Sequence, residues 1–348
     1  MNTLVHIIPT LGNGGAENIL TSLVIELNKA SINQIVITIN GSDNDFNFKR
    51  VENICEVISF KENPSKVKKL FSQRSSLKIL AWMYSGIFHA HKWNILFNTS
   101  HEVIWNIRHS NFGRNQIFQK ISLYVFGVFS HLYKNKIIYC SYKSLEVHEK
   151  SFFYKLNKRV IVNRLAKKNE DKSRIIKSQD CKYILFVGRF NPQKGPTLLR
   201  DIAVVFFQKY PNIELWIAGG NWELTFFPKE IRNRVKILGS VKDIFPIYNS
   251  ASVLLFTSIF GEGYPNVLVE AASCGIPIVG FNSGDSELIL NDYKYGHVVN
   301  TTSQFLSKLD KVLQLRISEE EKNKEIKIQL KKMDFNLTVS EYYNFIFQ

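Results

Sequence analysis

The sequence predicts an α/β protein built from two doubly wound domains, and three observations carry this prediction. The chain has 348 residues, which suits two domains of roughly 100 to 200 residues each. Short apolar segments alternate with helical ones along the chain, which is typical of parallel sheets covered by helices. A polar stretch, Lys167–Asp180, interrupts this alternation and is predicted as the linker. We therefore expect domains at residues 1–168 and 169–334, and a helix at 335–348 that returns to the first domain.

The predicted first domain opens with a strand at Leu4–Ile8 and a helix at Ala16–Lys29. Its further strands are predicted at Gln34–Ile39, Glu56–Phe60, Ile95–Asn98, Val103–Ile107, Lys136–Cys140 and Val160–Asn163. Basic and apolar residues interleave at helical spacing over Lys66–Leu80 and over Ile117–Lys136. These two segments are expected to be amphipathic helices.

The predicted second domain repeats the alternation after the linker. Its strands are predicted at Tyr183–Val187, Ile213–Ala218, Val235–Leu238, Val253–Phe256, Ile276–Gly280 and His297–Val299. In open parallel sheets, ligands bind beyond the carboxyl ends of the strands. Two such domains facing across a cleft would therefore create one site between them.

Charge is distributed unevenly along the chain. The formal net charge is +15, and residues 1–170 hold 23 Lys and Arg against 11 Asp and Glu. This excess suits an anionic partner such as nucleic acid, phospholipid headgroups or a phosphorylated substrate, and charge alone does not choose among them. No apolar run approaches the roughly 20 residues of a membrane span, and the N-terminus is predicted as a strand, not a signal peptide. A cytoplasmic location is expected, and the four separated cysteines predict no metal site.

The most informative motif is FGEGYPNVLVEAASCG, at residues 260–275 between two predicted strands. Pro265 suits the first turn of a helix and Gly275 suits its end, so a helix is predicted between them. The first helical amides, on Asn266, Val267 and Leu268, have no partner within a helix. Together with the positive end of the helix dipole they form an anion site suited to a diphosphate.

Two glutamates flank this predicted diphosphate site. Glu270 lies about one turn into the helix, and helical side chains lean toward the N-terminus, so its carboxylate is placed to accept hydrogen bonds from ribose hydroxyls. Glu262, in the preceding loop, is placed to meet the sugar beyond the phosphates. The competing interpretation is an amphipathic helix with two incidental glutamates.

A second motif, FVGRFNPQKG at residues 186–195, is a strand that ends at Gly188 and turns into a helix after Lys194. The guanidinium of Arg189 and the ammonium of Lys194 are suited to neutralise a departing diphosphate without a metal. Arg and Lys in a loop are usually solvated, so this motif alone does not predict a diphosphate site. The glutamate motif that follows it in the sequence makes this interpretation stronger.

Two further motifs lie in the first domain. Gly12, Gly14 and Gly15 allow the backbone to approach a ligand closely at a helix start, although a simple tight turn is the alternative. The segment has neither the GxGxxG nor the P-loop pattern, so it predicts no nicotinamide cofactor and no ATP hydrolysis. The strand Val103–Ile107 delivers His109 at its carboxyl end, although a lone histidine is more often structural.

Glu262 and Glu270, with GEGYPN from Gly261 onward, resemble the paired-glutamate motif of family 4 retaining glycosyltransferases of the GT-B fold. Arg189 and Lys194 look like the basic pair of that family, and GGAE at residues 14–17 resembles its turn facing the donor phosphates. WNIRHS at residues 105–110 is similar to transferases of bacterial surface polysaccharides, in which the histidine lies near the transferred sugar. One departure is Arg164, which stands where relatives usually have glycine and puts the local backbone in doubt.

The resemblance implies transfer with retention of anomeric configuration, without a metal or cofactor. Arg189, Lys194 and the amides of Asn266–Leu268 would stabilise the leaving diphosphate, while Glu262 holds the sugar and His109 contacts sugar and acceptor. The donor would be a UDP- or GDP-hexose bound at Gly14, Gly15, Gly188, Arg189, Lys194, Asn266, Val267, Leu268 and Glu270. The acceptor would be a polyprenyl-diphosphate-linked glycan for O-antigen, capsule or other lipopolysaccharide-type polymers.

The basic first domain would then lie peripherally on the anionic inner face of the cytoplasmic membrane. Ordinary helices with outward lysines are the alternative. Rival functions are a nucleotide-sugar epimerase or a phosphorylase of the same fold, although the latter needs a pyridoxal lysine and a longer chain. A basic nucleic-acid-binding protein would leave the paired glutamates unexplained, and a catalytically inactive binding module would not need both basic and acidic pairs.

Overall fold

The computed structural model describes residues 3–12, 14–41, 46–74, 76–110, 113, 116–165 and 183–348. The chain divides into two compact units, Met1–Ala166 together with Phe335–Gln348, and Lys167–Asp334. The predicted linker Lys167–Asp180 lies outside the described residues.

The first unit contains a seven-stranded parallel sheet. Its strands are β1 Leu4–Ile8, β2 Gln34–Thr38, β3 Glu56–Ser59, β4 Lys78–Trp82, β5 Glu102–Ile107, β6 Ile137–Tyr139 and β7 Lys158–Val160. They lie in the order β3-β2-β1-β4-β5-β6-β7. Its helices are α1 Gly15–Lys29, α2 Phe48–Val51, α3 Pro64–Gln73, α4 Met83–Leu96, α5 Ile117–Tyr133, α6 Tyr142–Glu149 and α13 Phe335–Phe347, numbered in chain order.

The second unit contains a six-stranded parallel sheet. Its strands are β8 Tyr183–Val187, β9 Glu214–Ala218, β10 Val235–Gly239, β11 Val253–Phe256, β12 Ile278–Phe281 and β13 Gly296–Val299, in the order β10-β9-β8-β11-β12-β13. Its helices are α7 Pro196–Lys209, α8 Phe245–Ser250, α9 Asn266–Ser273, α10 Ser286–Asn291, α11 Thr302–Leu313 and α12 Glu319–Lys332. Short 3-10 helices lie at Pro192–Lys194, Leu224–Phe226 and Lys229–Arg234.

Helices cover both faces of the first sheet, and this explains why its central strands are buried along their whole length. All five residues of β1 and of β2 are buried. Side chains of α3, α4 and α5 form one core with one face of the sheet, and side chains of α1 and α13 form the other. The first unit is therefore doubly wound about its sheet.

The strand predicted at Ile95–Asn98 is wrong, and the helix predicted at Lys66–Leu80 is only partly right. Helix α4 runs to Leu96, and the strand of this region is β4, Lys78–Trp82. The sequence does not reveal the boundary between α3 and β4, because the spacing of the basic residues continues the helical pattern of α3 into the strand. Buried on both faces, β4 has no alternation that would mark it as a strand.

Helix α13 completes the first unit from the far end of the sequence. Phe335, Tyr342 and Ile346 are buried in the core that also contains α1. The hydroxyl of Tyr342 accepts a hydrogen bond from Asn106 Nδ2 at 3.1 Å, at the carboxyl end of β5. Removing the helix would therefore expose both apolar core and a buried polar group.

Arg164 ties the segment after β7 to α13. Its two terminal nitrogens donate to the two carboxylate oxygens of Glu341 on α13, each at 3.1 Å. A two-pronged pair of this kind fixes orientation as well as distance. Next to it, Asn163 accepts a hydrogen bond from Arg108, so the segment after β7 is held to both β5 and α13.

Candidate functional site

The topology of the second sheet marks one edge as the place for a ligand. From β8 the chain proceeds to β9 and β10 on one side, and from β11 to β12 and β13 on the other. The neighbouring strands β8 and β11 therefore form the switch point of an open parallel sheet, where a crevice opens at the carboxyl ends. The motifs containing Lys194 and Glu262 follow these two strands.

Lys194 and Glu262 meet at this switch point. Lys194 Nζ donates to Glu262 Oε1 at 2.6 Å, and Ser258 Oγ donates to the same oxygen at 2.7 Å. The Glu262 residue is only 7% exposed. A buried carboxylate needs such partners, and these two hydrogen bonds help to offset the desolvation of Glu262. Ser258 is a site residue that the sequence motif did not reveal, since a serine after a strand carries no distinctive signal.

Backbone contacts hold the two motifs against each other. The turn at Gly195 has φ of +64°, and a Cβ there would lie 2.1 Å from the carbonyl oxygen of Thr257. The Thr257 hydroxyl donates to the carbonyl of Lys194 at 2.8 Å, and the Ile259 amide donates to that of Gln193 at 3.0 Å. Glycine is required at residue 195 both for the left-handed conformation and for this close approach.

A second glycine, Gly284, packs against the loop that carries Glu262. Gly284 follows β12, has φ of +63°, and a Cβ on it would lie 2.4 Å from the Gly263 carbonyl oxygen and 2.5 Å from that of Glu262. The Asp285 amide donates to the Gly263 carbonyl at 2.9 Å. The loop that carries Glu262 is thus fixed by backbone from β8 on one side and β12 on the other.

The helix that follows the loop corrects one predicted contact. Pro265 is the N-cap of α9, and the helix spans Asn266–Ser273. The Leu268 amide donates to the Pro265 carbonyl at 3.1 Å, so it is engaged in the first turn, contrary to the prediction that it points toward a ligand. A tight first turn closes early by such a bond, which leaves Asn266 and Val267 as the candidate anion-binding amides.

Glu270 is held by a tyrosine that sequence analysis did not identify. Tyr248 on α8 is fully buried, and its hydroxyl donates to Glu270 Oε2 at 3.0 Å. Burial, with the Glu270 charge, raises the pKa of Tyr248 well above its usual range, so this hydroxyl keeps its proton. Tyr248 on α8 therefore fixes the orientation of the Glu270 carboxylate on α9.

Gly188 and Arg189 lie at the end of β8. The carbonyl of Gly188 accepts from Trp222 Nε1 at 2.8 Å, and its amide donates to Ala218 at 2.8 Å, so both backbone groups are engaged. Arg189 is exposed, and its guanidinium makes no ion pair or hydrogen bond with the residues that the structure describes. Arg189 is thus a solvated cation at the same sheet edge as Lys194.

In the first unit, Gly14 and Gly15 lie at the start of α1. Gly14 is the N-cap, Gly15 is the first helical residue, and the Glu17 carboxylate lies over Gly14, 2.3 Å from where a Cβ would be. The buried side chain of Asn47 donates to the Gly12 carbonyl at 2.7 Å and secures the turn from α2. A ligand phosphate at this helix start would have to displace the Glu17 carboxylate.

His109 follows β5, as predicted, and lies in an aromatic cluster. Its ring packs edge-on against Tyr84 at 4.7 Å and lies 5.3 Å from the ring of His148. Its carbonyl accepts from Ser144 Oγ at 2.6 Å. Burial lowers the pKa of His109 to about 4, so the ring is neutral near pH 7. A neutral imidazole can exchange hydrogen bonds with sugar hydroxyls in either direction.

The buried histidines of this unit predict how its stability depends on pH. Burial lowers the pKa of His6 to about 4 and of His148 to about 3, from 6.5. Between these values the unfolded chain binds protons that the folded chain excludes, so stability should fall as the pH drops below about 6.5. For each histidine, we expect the free energy of unfolding to fall by up to about 1.4 kcal/mol per pH unit. Urea unfolding midpoints at a series of pH values measure this fall. Midpoints that stay constant between about pH 7 and pH 5 would contradict this assignment.

Within the ranges described, no group of three or more His, Cys, Asp or Glu side chains is arranged to hold a metal ion. Metal independence itself stays a prediction. The structure brings together Lys194 and Glu262 in the second unit, with Gly188, Arg189 and α9 along the same sheet edge. Gly14, Gly15 and His109 belong to the first unit.

Comparison with known protein families gives a match within the second unit. Residues 181–315 match the family model for glycosyl transferases group 1. This group 1 segment contains Gly188, Arg189, Lys194, Glu262 and Glu270. Its curated relatives include spore coat protein SA of Bacillus subtilis, 27% identical over 135 residues, which are 34% of this chain and 35% of that protein. The phosphatidyl-myo-inositol mannosyltransferase of Mycobacterium leprae is 31% identical over 123 residues, 34% of this chain and 33% of the relative. The chain thus spans about a third of the length of the curated relatives it matches.

Structural comparison covers the whole chain. HepE from Anabaena, solved in complex with UDP-glucose, superposes with a TM-score of 0.75 at 17% identity, over 99% of this chain and 100% of that one. The lipopolysaccharide outer core galactosyltransferase WaaB gives a TM-score of 0.72 at 16% identity, over 99% of both chains. The prediction of a GT-B fold with two Rossmann-like units is confirmed. The family match therefore concerns the second unit, and the structural comparison shows the fold of the whole chain.

Proposed function

We propose that the protein is a retaining glycosyltransferase that moves a hexose from a UDP- or GDP-sugar to a lipid-linked glycan in bacterial surface-polysaccharide synthesis. The observation that carries the proposal is the Lys194–Glu262 pair at the β8/β11 switch point, within the group 1 segment. HepE binds UDP-glucose and WaaB is a lipopolysaccharide galactosyltransferase, which supports both the donor class and the biosynthetic setting.

The proposed roles follow from where each group lies. Lys194, Arg189 and the first amides of α9 offer positive charge to the donor diphosphate. Glu270, fixed by Tyr248, accepts hydrogen bonds from the ribose hydroxyls. Glu262 accepts hydrogen bonds from the transferred sugar, and Lys194 must turn from this carboxylate toward the phosphates when the donor binds.

The proposed reaction breaks the bond between the sugar's anomeric carbon and the diphosphate oxygen. The acceptor hydroxyl attacks on the same face, and its proton passes to the departing phosphate, so no protein base is required. Cations held at fixed positions stabilise the charge that develops on the leaving oxygen. His109 and the turn at Gly14 and Gly15 are proposed as contacts of the first unit with sugar, acceptor and phosphates.

Nucleotide binding tests the donor site. By calorimetry we expect one of UDP and GDP, and its sugar, to bind the wild-type protein. Lys194→Ala should weaken binding roughly tenfold or more, because a charge-assisted hydrogen bond is lost. Glu270→Gln, which keeps an acceptor for Tyr248, should weaken nucleoside diphosphate binding but not binding of inorganic diphosphate.

Lys229 supplies the matched control, because it is an exposed lysine of the same unit in another 3-10 helix. Lys229→Ala should bind as the wild type does. A folded wild-type protein that binds neither nucleotide would overturn the proposal. Conversion of the bound nucleotide sugar to its epimer, without transfer, would replace it with the epimerase reading.

A further inference from the structure

Helix α5 carries apolar side chains on the side that faces away from the core. Its inner side packs on the sheet through Leu123 and Phe126. The opposite side consists of residues that are between 43% and 83% exposed, namely Ile117, Phe118, Ile121, Val125, Val128 and Leu132. A helix that is apolar all round is normally covered on both sides. The outer side of α5 has no such cover among the described residues.

The uncovered surface extends onto the neighbouring helix. The ring of His91 on α4 stacks on Tyr133 of α5 at 3.9 Å, so the two helices lie side by side. On α4 the exposed apolar residues are Phe88, Ile95 and Leu96. Isolated exposed apolar residues are ordinary on proteins. The exposed residues of α4 and α5 together form a larger apolar surface.

A loop on the other side of α5 adds two more apolar residues. Gly127 of α5 is so close to this loop that a Cβ would lie 2.3 Å from the Ser151 carbonyl oxygen. Phe152 has φ of +65° and is 69% exposed, and Leu156 is also exposed. A left-handed phenylalanine is strained, and such strain is often associated with function. We call Phe88, Ile95, Leu96, the six α5 residues, Phe152 and Leu156 the outer apolar face.

The two helices that carry most of the outer apolar face contain lysines but no acidic residues. Neither α4 nor α5 contains Asp or Glu. Lys92, Lys134 and Lys155 are exposed beside the face and form no ion pair with other described residues. Residues 1–170 also hold 23 Lys and Arg against 11 Asp and Glu. An apolar stripe bordered by lysines is complementary to a bilayer whose surface carries anionic headgroups.

We propose that the outer apolar face inserts into the headgroup region of an anionic lipid bilayer, with α5 lying parallel to the membrane plane. No helix of the described residues is long and apolar enough to cross a membrane. The inner side of α5 packs on the sheet, so only its outer side can enter the headgroup region. The inference deepens the proposed function, because a lipid-linked acceptor is presented at that surface. Bilayer binding itself requires no transferase activity.

Vesicle flotation tests this proposal with the full chain. We expect the wild type to float with vesicles containing phosphatidylglycerol, and to bind pure phosphatidylcholine roughly tenfold less. The double variant Phe118→Asp, Leu132→Asp should lose roughly tenfold or more of the binding to the anionic vesicles. Both side chains are exposed on the side of α5 opposite the core, so folding should not suffer.

Leu315→Asp is the control, because Leu315 is an exposed leucine of the second unit. It should float like the wild type. Nucleotide binding of every variant should be unchanged, which separates failure of this proposal from failure of the donor site. Equal flotation of wild type and double variant would overturn the proposal. So would a wild-type dimer that ignores vesicles and becomes monomeric in the double variant, because the face would then bind a second copy.

Discussion

Replacing Glu262 with glutamine should lower sugar transfer by roughly 10²-fold or more while the protein stays folded. Glutamine keeps the shape of the side chain and still accepts the hydrogen bond from Ser258, but it removes the charge that Lys194 contacts and that the proposed sugar site requires. The Lys194 side chain is 21% exposed and can turn to solvent, so little stability should be lost. The loss should fall on kcat more than on donor affinity, because Lys194 remains available to the phosphates.

The measurement is release of UDP or GDP from the bound nucleotide sugar in the presence of a polyprenyl-diphosphate-linked glycan. Glu287→Gln is the matched control, since Glu287 is an exposed glutamate of the same unit, on α10. It should keep wild-type turnover. Full turnover in Glu262→Gln would remove Glu262 from the mechanism and leave the carboxylate as a structural partner of Lys194.

The largest loss of stability is expected from Tyr342→Ala on α13. The residue is fully buried, its ring stacks on Trp82 at 6.3 Å, and its hydroxyl is hydrogen-bonded to Asn106. Truncation leaves a cavity and an unsatisfied buried amide, so the free energy of unfolding of the first unit should drop by about 3 to 5 kcal/mol.

Chemical denaturation followed by circular dichroism measures this loss. Tyr343→Ala is the comparison, because its neighbouring side chain is 39% exposed. That variant should lose about 1 kcal/mol or less. If the two variants unfold at the same denaturant concentration, α13 contributes little packing and its place in the first unit needs another explanation.

Most strands were predictable because each is a short apolar run between turn signals. Tyr183–Val187 and Val253–Phe256 have the same bounds in the sequence analysis and in the structure. The strand β4 was missed because its first residue, Lys78, continues a helical spacing of basic residues. Only the pairing of β4 between β1 and β5 identifies it, and such long-range pairing leaves no local pattern.

For the site, residue types were easier to predict than contacts. The motifs placed Lys194 and Glu262 at strand ends, but the hydrogen bond between them depends on β8 and β11 being neighbours. The sequence alone does not identify Tyr248, because this tyrosine gains its role from Glu270, a partner distant in sequence. The Leu268 amide was misassigned because the exact first turn of a helix, one residue later than predicted, decides which amides it uses.

The position of α13 has a consequence for how the protein is made. The first unit is interrupted in sequence by the whole second unit, and its core includes residues of α13 that are translated after the second unit. At roughly 5 to 20 residues per second, the ribosome needs on the order of ten seconds or more to translate the intervening segment. During that time the apolar surface beneath α13 stays uncovered on the nascent chain. The second unit can therefore fold before the core of the first unit is complete, and the uncovered apolar surface is open to aggregation until α13 packs on it.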